Sequence, residues 1–349
     1  MALRLEAEGA SVLVEVTRGR VVESVHRGRA VAVDGAGETV ARLGDDASLT
    51  FVRSAAKPHQ ALSIITEGAA ERFSLTDREL AVACGSHNGE AVHTETVLSI
   101  LTKAGLDASA LKCGAHEPYG KGAARALEEK GEKPSAIHNN CSGKHAGMLA
   151  LSVHLGAPPD SYLRPEHPVQ KLILERVAQF SGVPAGEIQF AVDGCGVPAF
   201  VLPLRAAALM YARLVATPPE FGEETAAACR RLVSAMLAHP EMVEGDGELD
   251  TELMRAGRGR FVSKVGAEGF YAAGILPCER WPRGLGLAAK LEDGDRNDRA
   301  RPPAATELLR QLGALNEEDL KGLQKFARAV VKNNRGEDVG EVRPGFSLL

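Results

Sequence analysis

Ser48-Leu49-Thr50-Phe51-Val52-Arg53-Ser54-Ala55-Ala56-Lys57-Pro58-His59-Gln60-Ala61-Leu62 is the stretch on which the fold turns. Ser48 to Val52 reads as a strand. Ala61, Leu62, Ile64 and Ile65 recur at helical spacing, and Pro58 suits a first helical turn and no later one. Ser54 and Lys57 stand at this strand-to-helix junction three positions apart, a spacing that shares one helical face. A neutral Lys57 could take the Ser54 proton. That requires burial or a nearby cation, because a free lysine titrates at about 10.4.

On the N-terminal side, Val12 to Val16, Val21 to Arg27 and Ala30 to Val33 read as antiparallel strands, with Asp34-Gly35-Ala36-Gly37 as hairpin punctuation. On the C-terminal side the pattern turns helical to about residue 190. Thr76-Asp77-Arg78-Glu79 forms a capping box, and helices are predicted at about 90–105, 120–131, 145–155 and 166–181. Gln189 to Val192 is a short strand, and helices follow at 203–216 and 220–238. Arg260 to Val265 and Phe270 to Leu276 form a hairpin, Leu285 to Leu291 another strand. A helical pair (304–312, 316–330) precedes a last strand near 338–343. Strands at both ends around a helical middle predict an α/β protein with one antiparallel sheet assembled from N- and C-terminal segments. The expected organisation is one catalytic unit over 1–349 with room for a helical lobe over about 60–190.

Composition narrows the function. Net charge of −5 with 25% charged residues, and no Lys/Arg block, speaks against nucleic-acid binding. No apolar run reaches the ~20 residues of a membrane span. Met1 to Ala10 shows no signal-peptide core, so a cytoplasmic protein is expected. The six cysteines lie far apart, a spacing that suits buried or functional thiols better than a disulfide framework.

Three turns concentrate reactive side chains: Cys84-Gly85-Ser86-His87-Asn88-Gly89-Glu90, His138-Asn139-Asn140-Cys141-Ser142-Gly143-Lys144-His145-Ala146-Gly147-Met148, and Asp193-Gly194-Cys195-Gly196-Val197-Pro198. The second runs into an apolar helix, and reads as a glycine-loosened turn aiming donors and a thiolate at the helix N-terminus. Cys141 and Lys144 have the spacing of a C-x-x-C knuckle with Lys in the second place. With Cys195 they supply two thiolates of the kind zinc prefers, although an amine ligand must first lose its proton. The placement of Ser54-x-x-Lys57 matches that in serine β-lactamases, where a second lysine on a late strand faces the serine. Ser263-Lys264-Val265-Gly266 fills that slot.

These turns, together with Arg53-Ser54-Ala55-Ala56-Lys57-Pro58, Pro165-Glu166-His167-Pro168-Val169-Gln170 and Lys264-Val265-Gly266-Ala267-Glu268-Gly269, resemble the L-asparaginase II family of rhizobial, thermolabile type. The motifs run through most of the chain in the family's order. The Gly-Thr-Gly-Gly-Thr signature of threonine-dependent asparaginases is missing. The resemblance implies a fold similar to serine β-lactamases and glutaminases, a homodimer, and hydrolysis of L-asparagine. It implies two Ser–Lys tandems, Ser54 with Lys57 and Ser86 with Lys264, and a zinc site from Cys141, Lys144 and Cys195. It places His145 and Asp193 beside the site as supports or holders of the substrate amine. Arg53 is a candidate for the substrate α-carboxylate, and turn N–H groups around Ser86 for the oxyanion. One departure stands in Leu249-Asp250-Thr251, where some members carry Cys before the Thr. The rival functions are a glutaminase or penicillin-recognising hydrolase on the same fold, and a non-catalytic metal- or amino-acid-binding protein.

Overall fold

The polar-to-apolar change along Val21-Val22-Glu23-Ser24-Val25-His26-Arg27-Gly28-Arg29-Ala30-Val31-Ala32-Val33 shapes the sheet of this computed structural model, which describes residues 9–348. The reading of Met1 to Ala10 therefore lies, for residues 1–8, outside the described residues. The strands in chain order are β1 (Ser11–Arg18), β2 (Val21–Asp34), β3 (Thr39–Leu43), β4 (Leu49–Phe51), β5 (Gln189–Val192), β6 (Pro198–Pro203), β7 (Phe261–Gly266), β8 (Phe270–Ile275), β9 (Leu285–Leu291), β10 (Ala329–Lys332) and β11 (Asp338–Pro344). Contacts divide the chain into two compact units. One takes the described residues of Met1–Ala55, Val201–Ala216 and Glu252–Leu349; the other is Ala56–Phe200 with Thr217–Thr251.

The first unit holds an antiparallel sheet of order β10-β11-β1-β2-β9-β8-β7, with β3 also on β2. Strands from both chain ends thus share one sheet, as the sequence predicts, with the early pair β1-β2 between blocks of late strands. The Ser48 to Val52 strand is a correction, because β4 lies outside this sheet and pairs with β6. β2 is a single strand where the sequence suggests two. Its outer half is exposed and pairs with β1; its inner half is buried between β3 and β9. Gly28 looks like a break because it has no side chain, yet its function is close approach: a Cβ there would lie 2.4 Å from the Lys290 carbonyl oxygen. The strands β7, β8 and β9 are buried almost throughout, the mark of a sheet covered by helices. Helix Leu204–Val215 packs so closely on β8 and β9 that a Cβ at Gly286 would sit 1.9 Å from the Ala208 carbonyl oxygen. Helix Arg301–Gln311 closes a second core with Leu13, Val14, Val16, Leu291 and Val342 through Ala304.

The terminal helix predicted at 316–330 is corrected. Short turns Glu317–Leu320, Lys321–Leu323 and Gln324–Ala327 replace it, and β10 takes the end. Gly322 weakens the helix, while Val330 and Val331 gain more from pairing with Glu341 and Gly340 of β11. A helix at Leu249–Gly257 was not foreseen.

The second unit is helical. Its centre is Ser142–His154, buried at every position from Ser142 to Ser152. Lys57–Thr66, Asp77–Ala83, Ala91–Lys103 and Pro168–Ser181 pack around it, and Glu223–Ala238 lies against Asp77–Ala83. The two glycines of the 138–148 stretch belong to this helix, so they do not loosen a turn. A Cβ on Gly143 would stand 2.3 Å from the Val82 carbonyl oxygen, and one on Gly147 2.4 Å from Ile64 Cδ1. Small residues here let three helix backbones meet at the place where the polar side chains are concentrated. The Thr76 capping box is complete, its hydroxyl taking the Glu79 N–H. Among the described residues no helix is long and apolar enough to cross a membrane.

Candidate active site

Each reactive turn ends an element whose start or stop is fixed by the contacts just described. Lys57 is the first residue of its helix, with Pro58 in the first turn as expected, and its side chain is fully buried. Its amine donates to the Gly85 carbonyl at 2.6 Å, to Ser86 Oγ at 2.9 Å and to the Asn140 carbonyl at 3.3 Å. The sequence paired Lys57 with Ser54; the serine to which the structure shows it hydrogen-bonded is Ser86. As an ammonium the group is well hydrogen-bonded here. As a neutral amine it keeps two carbonyls and turns its lone pair toward the Ser86 hydroxyl.

Ser86 follows the C-terminus of Asp77–Ala83 and is half-buried. Gly85 is needed there, because a Cβ would meet the Met242 carbonyl oxygen at 2.5 Å. The segment 242–245 clamps the turn: Ser86 N–H donates to the Val243 carbonyl at 2.7 Å and Asn88 N–H to the Glu244 carbonyl at 2.8 Å. Gly89 N–H donates to His87 Nδ1 at 3.2 Å. These engagements occupy the Ser86, Asn88 and Gly89 N–H groups, so an oxyanion hole in this turn would not draw on them.

Ser54 lies in the 3-10 turn Arg53–Ala56 of the other unit, directly before Lys57 in the chain. The turn is held by Ala55 N–H on the Val52 carbonyl and by the buried Tyr211 hydroxyl, which donates to the Ala55 carbonyl at 2.7 Å. Arg53 has φ of 51°, a left-handed conformation that costs a non-glycine residue about 1 kcal/mol or more. Lys264 is fully buried on β7, with its amine 3.2 Å from the Val265 carbonyl oxygen.

Cys141, Lys144 and Cys195 meet in the helical unit. Lys144 Nζ stands 3.0 Å from Cys195 Sγ, and the Cys195 thiol hydrogen-bonds Cys141. That bond, with the Lys57 and Lys144 charges beside it, holds the Cys141 thiol well below its usual range despite burial. Cys195 is pushed up, first because its S–H donates a hydrogen bond to Cys141 and then by burial. Burial works against the Lys144 ammonium, but the Cys141 and Cys195 sulfurs and Asp193 outweigh it and raise it. Among the described residues no cluster of three or more His, Cys, Asp or Glu side chains forms a metal cage, so any ion here depends on Lys144 as third donor. Two touching thiols and an amine, buried and converging, are a donor set that fits zinc. All six cysteines are free, and Cys229 is core as expected, pushed to about 11 by burial.

Asp193 closes the Cys195 turn, its backbone exchanging bonds with Val197 and Gly196. His145 is fully buried with Nδ1 2.7 Å from the Tyr162 hydroxyl. That hydroxyl already accepts Lys112 N–H, so it donates to Nδ1 and leaves the proton on Nε2. Nε2 is buried without a hydrogen-bond partner, as is Asn88 Oδ1. An N–H donor suits a substrate carbonyl or carboxylate better than the amine first considered. Burial, then the Lys144 and Lys57 charges, keep this imidazole neutral. Asn88, Tyr162, Asn140 and His116 were missed as site residues. The signal for Asn88 was its place two residues after Ser86 in a turn already singled out, and for Asn140 its place directly before Cys141 in another; Tyr162 and His116 had none.

A family model described as L-asparaginase II matches residues 14–344. No curated protein matches the chain in sequence. Similar solved structures include a probable glutaminase from Bacillus subtilis complexed with 6-diazo-5-oxo-L-norleucine, at 12% identity and TM-score 0.42, covering 82% of this chain and 84% of that one. Mglu in its glutamate form is similar at 12% and 0.42 over 83% of this chain, which spans 61% of Mglu. A Bacillus glutaminase in 4.3 M NaCl is similar at 13% and 0.39, covering 82% of this chain and 91% of that one.

Proposed function

The chain belongs to the L-asparaginase II family, and from that premise we propose that this amidohydrolase converts L-asparagine to L-aspartate and ammonia through a lysine-activated serine. What supports a lysine-activated serine is the Lys57 amine, buried and 2.9 Å from the Ser86 hydroxyl, beside the Cys141–Lys144–Cys195 cluster; Ser54 is chosen as nucleophile on its three-residue spacing from Lys57. In the reading, Ser54 Oγ attacks the side-chain amide carbon while Lys57 takes its proton. The tetrahedral adduct collapses as Ser86 and Lys264 pass a proton to the leaving nitrogen, so ammonia departs and an ester remains. Water then attacks the ester, its proton passing through Ser86 to Lys264, while Lys57 returns its proton to Ser54 and the released acid ionises. The Lys57–Ser86 hydrogen bond favours a second assignment, with Ser86 as the nucleophile.

Arg53 is assigned to the substrate α-carboxylate, and the His145 Nε2–H to a substrate oxygen, with Asp193 near the substrate amine. Cys141, Lys144 and Cys195 would hold zinc, which when bound supplies a positive charge that orients the substrate. Cytosolic residence and a homodimer belong to the same proposal, tested by cell fractionation and light scattering. The decisive experiment is ammonia release from asparagine and from glutamine, with nitrocefin as third substrate. Asparagine turnover well above the others supports the reading. A preference for glutamine or nitrocefin moves the protein to the rival hydrolases, and binding without ammonia release makes it a binding protein.

A further inference from the structure

Between helices Ala91–Lys103 and Ser142–His154 the chain makes an excursion that carries His116 back to the Asn140 backbone, with Tyr119 against its ring, all within the helical unit. His116 Nδ1 lies 2.7 Å from the Glu117 carbonyl oxygen. A carbonyl only accepts, so the proton is on Nδ1 and Nε2 keeps a lone pair. That lone pair accepts the Asn140 N–H at 3.1 Å. The next peptide is pinned from the same excursion: Cys141 N–H donates to Asn139 Oδ1 at 2.8 Å, while the Asn139 amide donates to the Cys113 and Gly114 carbonyls at 3.0 Å each. With the N–H on either side of the Asn140 α-carbon held, its carbonyl has one direction left, toward the Lys57 amine at 3.3 Å. Tyr119 stacks on the His116 ring at 4.9 Å with planes 24° apart, and its own ring is 66% exposed. The excursion is anchored once more by Gly120 N–H on the Asn88 carbonyl at 2.8 Å.

We infer that His116 is a positioning residue for Lys57, acting through the backbone of Asn140, with Tyr119 bracing its ring. The inference rests on the reading of Lys57 as the proton acceptor. It predicts an effect on the chemical step and little on substrate capture, because His116 is placed to touch the lysine's support and not the substrate.

The test compares His116→Leu with His116→Gln, whose side-chain oxygen can take the place of Nε2. His116→Leu should lower kcat for asparagine at least tenfold with KM within threefold, and His116→Gln should recover most of the loss. Unchanged kcat in His116→Leu overturns the inference, as does an equal loss in both variants. In unmodified protein, labelled with nitrogen-15, a scalar coupling across the hydrogen bond between the Asn140 amide and His116 Nε2 is expected. Absence of that coupling overturns the inference whatever the variants do. If the unmodified chain releases ammonia from neither asparagine nor glutamine, the functional reading fails. The positioning claim is then judged by the Lys57 ζ-nitrogen shift, assigned with Lys57→Met. That shift should move in His116→Leu and stay in His116→Gln; no movement in either rejects the claim.

Discussion

Acidification from pH 7.5 to 5 should weaken the helical unit by about 2–4 kcal/mol through His87 and His93, in addition to the share of the buried, neutral His145. His87 and His93 are both fully buried, their rings stacked with centroids 5.0 Å apart. His87 accepts Gly89 N–H on Nδ1 and meets Ser142 Oγ with Nε2 at 2.9 Å, and the serine passes its own proton to the Ile137 carbonyl. A proton added to Nδ1 would face the Gly89 donor head-on. Burial, then His93 and Lys57, hold His87 well below the ordinary imidazole range; burial also lowers His93, against the pull of the Glu241 carbonyl. Above about pH 6.5 both forms of the chain carry neutral rings, and these groups contribute nothing to the pH dependence. Below it the unfolded chain takes up protons the folded chain refuses, so stability falls as pH falls. For one ring that stays neutral throughout, the loss at pH 5 is about 2 kcal/mol, and His93 adds up to the same again. Urea unfolding at pH 7.5, 6.5, 5.5 and 5, at constant zinc, reads this as a falling midpoint. In His87→Gln the slope should drop by about one proton. A midpoint independent of pH over this window, or one that rises on acidification, refutes the reasoning.

Ser54→Ala should lower asparagine turnover by about three orders of magnitude with the fold retained; wild-type-like turnover, with loss in Ser86→Ala instead, moves the nucleophile to Ser86, and mass spectrometry of the trapped ester identifies the serine. Lys57→Arg keeps the charge but cannot lose it, so turnover should collapse, and near-native kcat removes Lys57 as the base. Cys141→Ser and Cys195→Ser should lose a zinc ion per chain and raise KM. Elemental analysis finding no metal in fully active protein, purified without chelator, rejects the zinc site. Gly143→Ala forces a methyl onto the Val82 carbonyl and should cost about 2–3 kcal/mol in urea unfolding.

What the sequence made legible is what local pattern controls. Alternation placed the strands, the Thr76–Glu79 box placed a helix start, and polar crowding located the turns at Ser86, Cys141 and Cys195. The Cys141, Lys144 and Cys195 juxtaposition followed from the family resemblance, and the structure brings the three together. Long-range competition was not legible. Gly28 reads as a break only until Lys290 is known to run past it, and Val330-Val331 reads as helix until β11 offers a partner. The Lys57–Ser86 contact depends on where Gly85 and Asn140 present their carbonyls. His116 has no sequence signal, because its role lies in a backbone N–H twenty-four residues away.

The sharing of one sheet by early and late strands sets the timing of synthesis on the ribosome. β2 cannot meet β9 until roughly 250 further residues are made, because Val31 pairs with Ala288. At about 5–20 residues per second that is a wait of roughly 13–50 s. Meanwhile the apolar inner half of β2, Ala30 to Val33, has only β3 beside it and an open edge on the other side. The helical residues 56–200 emerge during the wait and can collapse without the sheet, whereas the N-terminal hairpin must be shielded from other nascent chains. The yield of folded protein should therefore respond to translation speed and chaperone supply, while substitutions at Ser54 or Ser86 leave it unchanged.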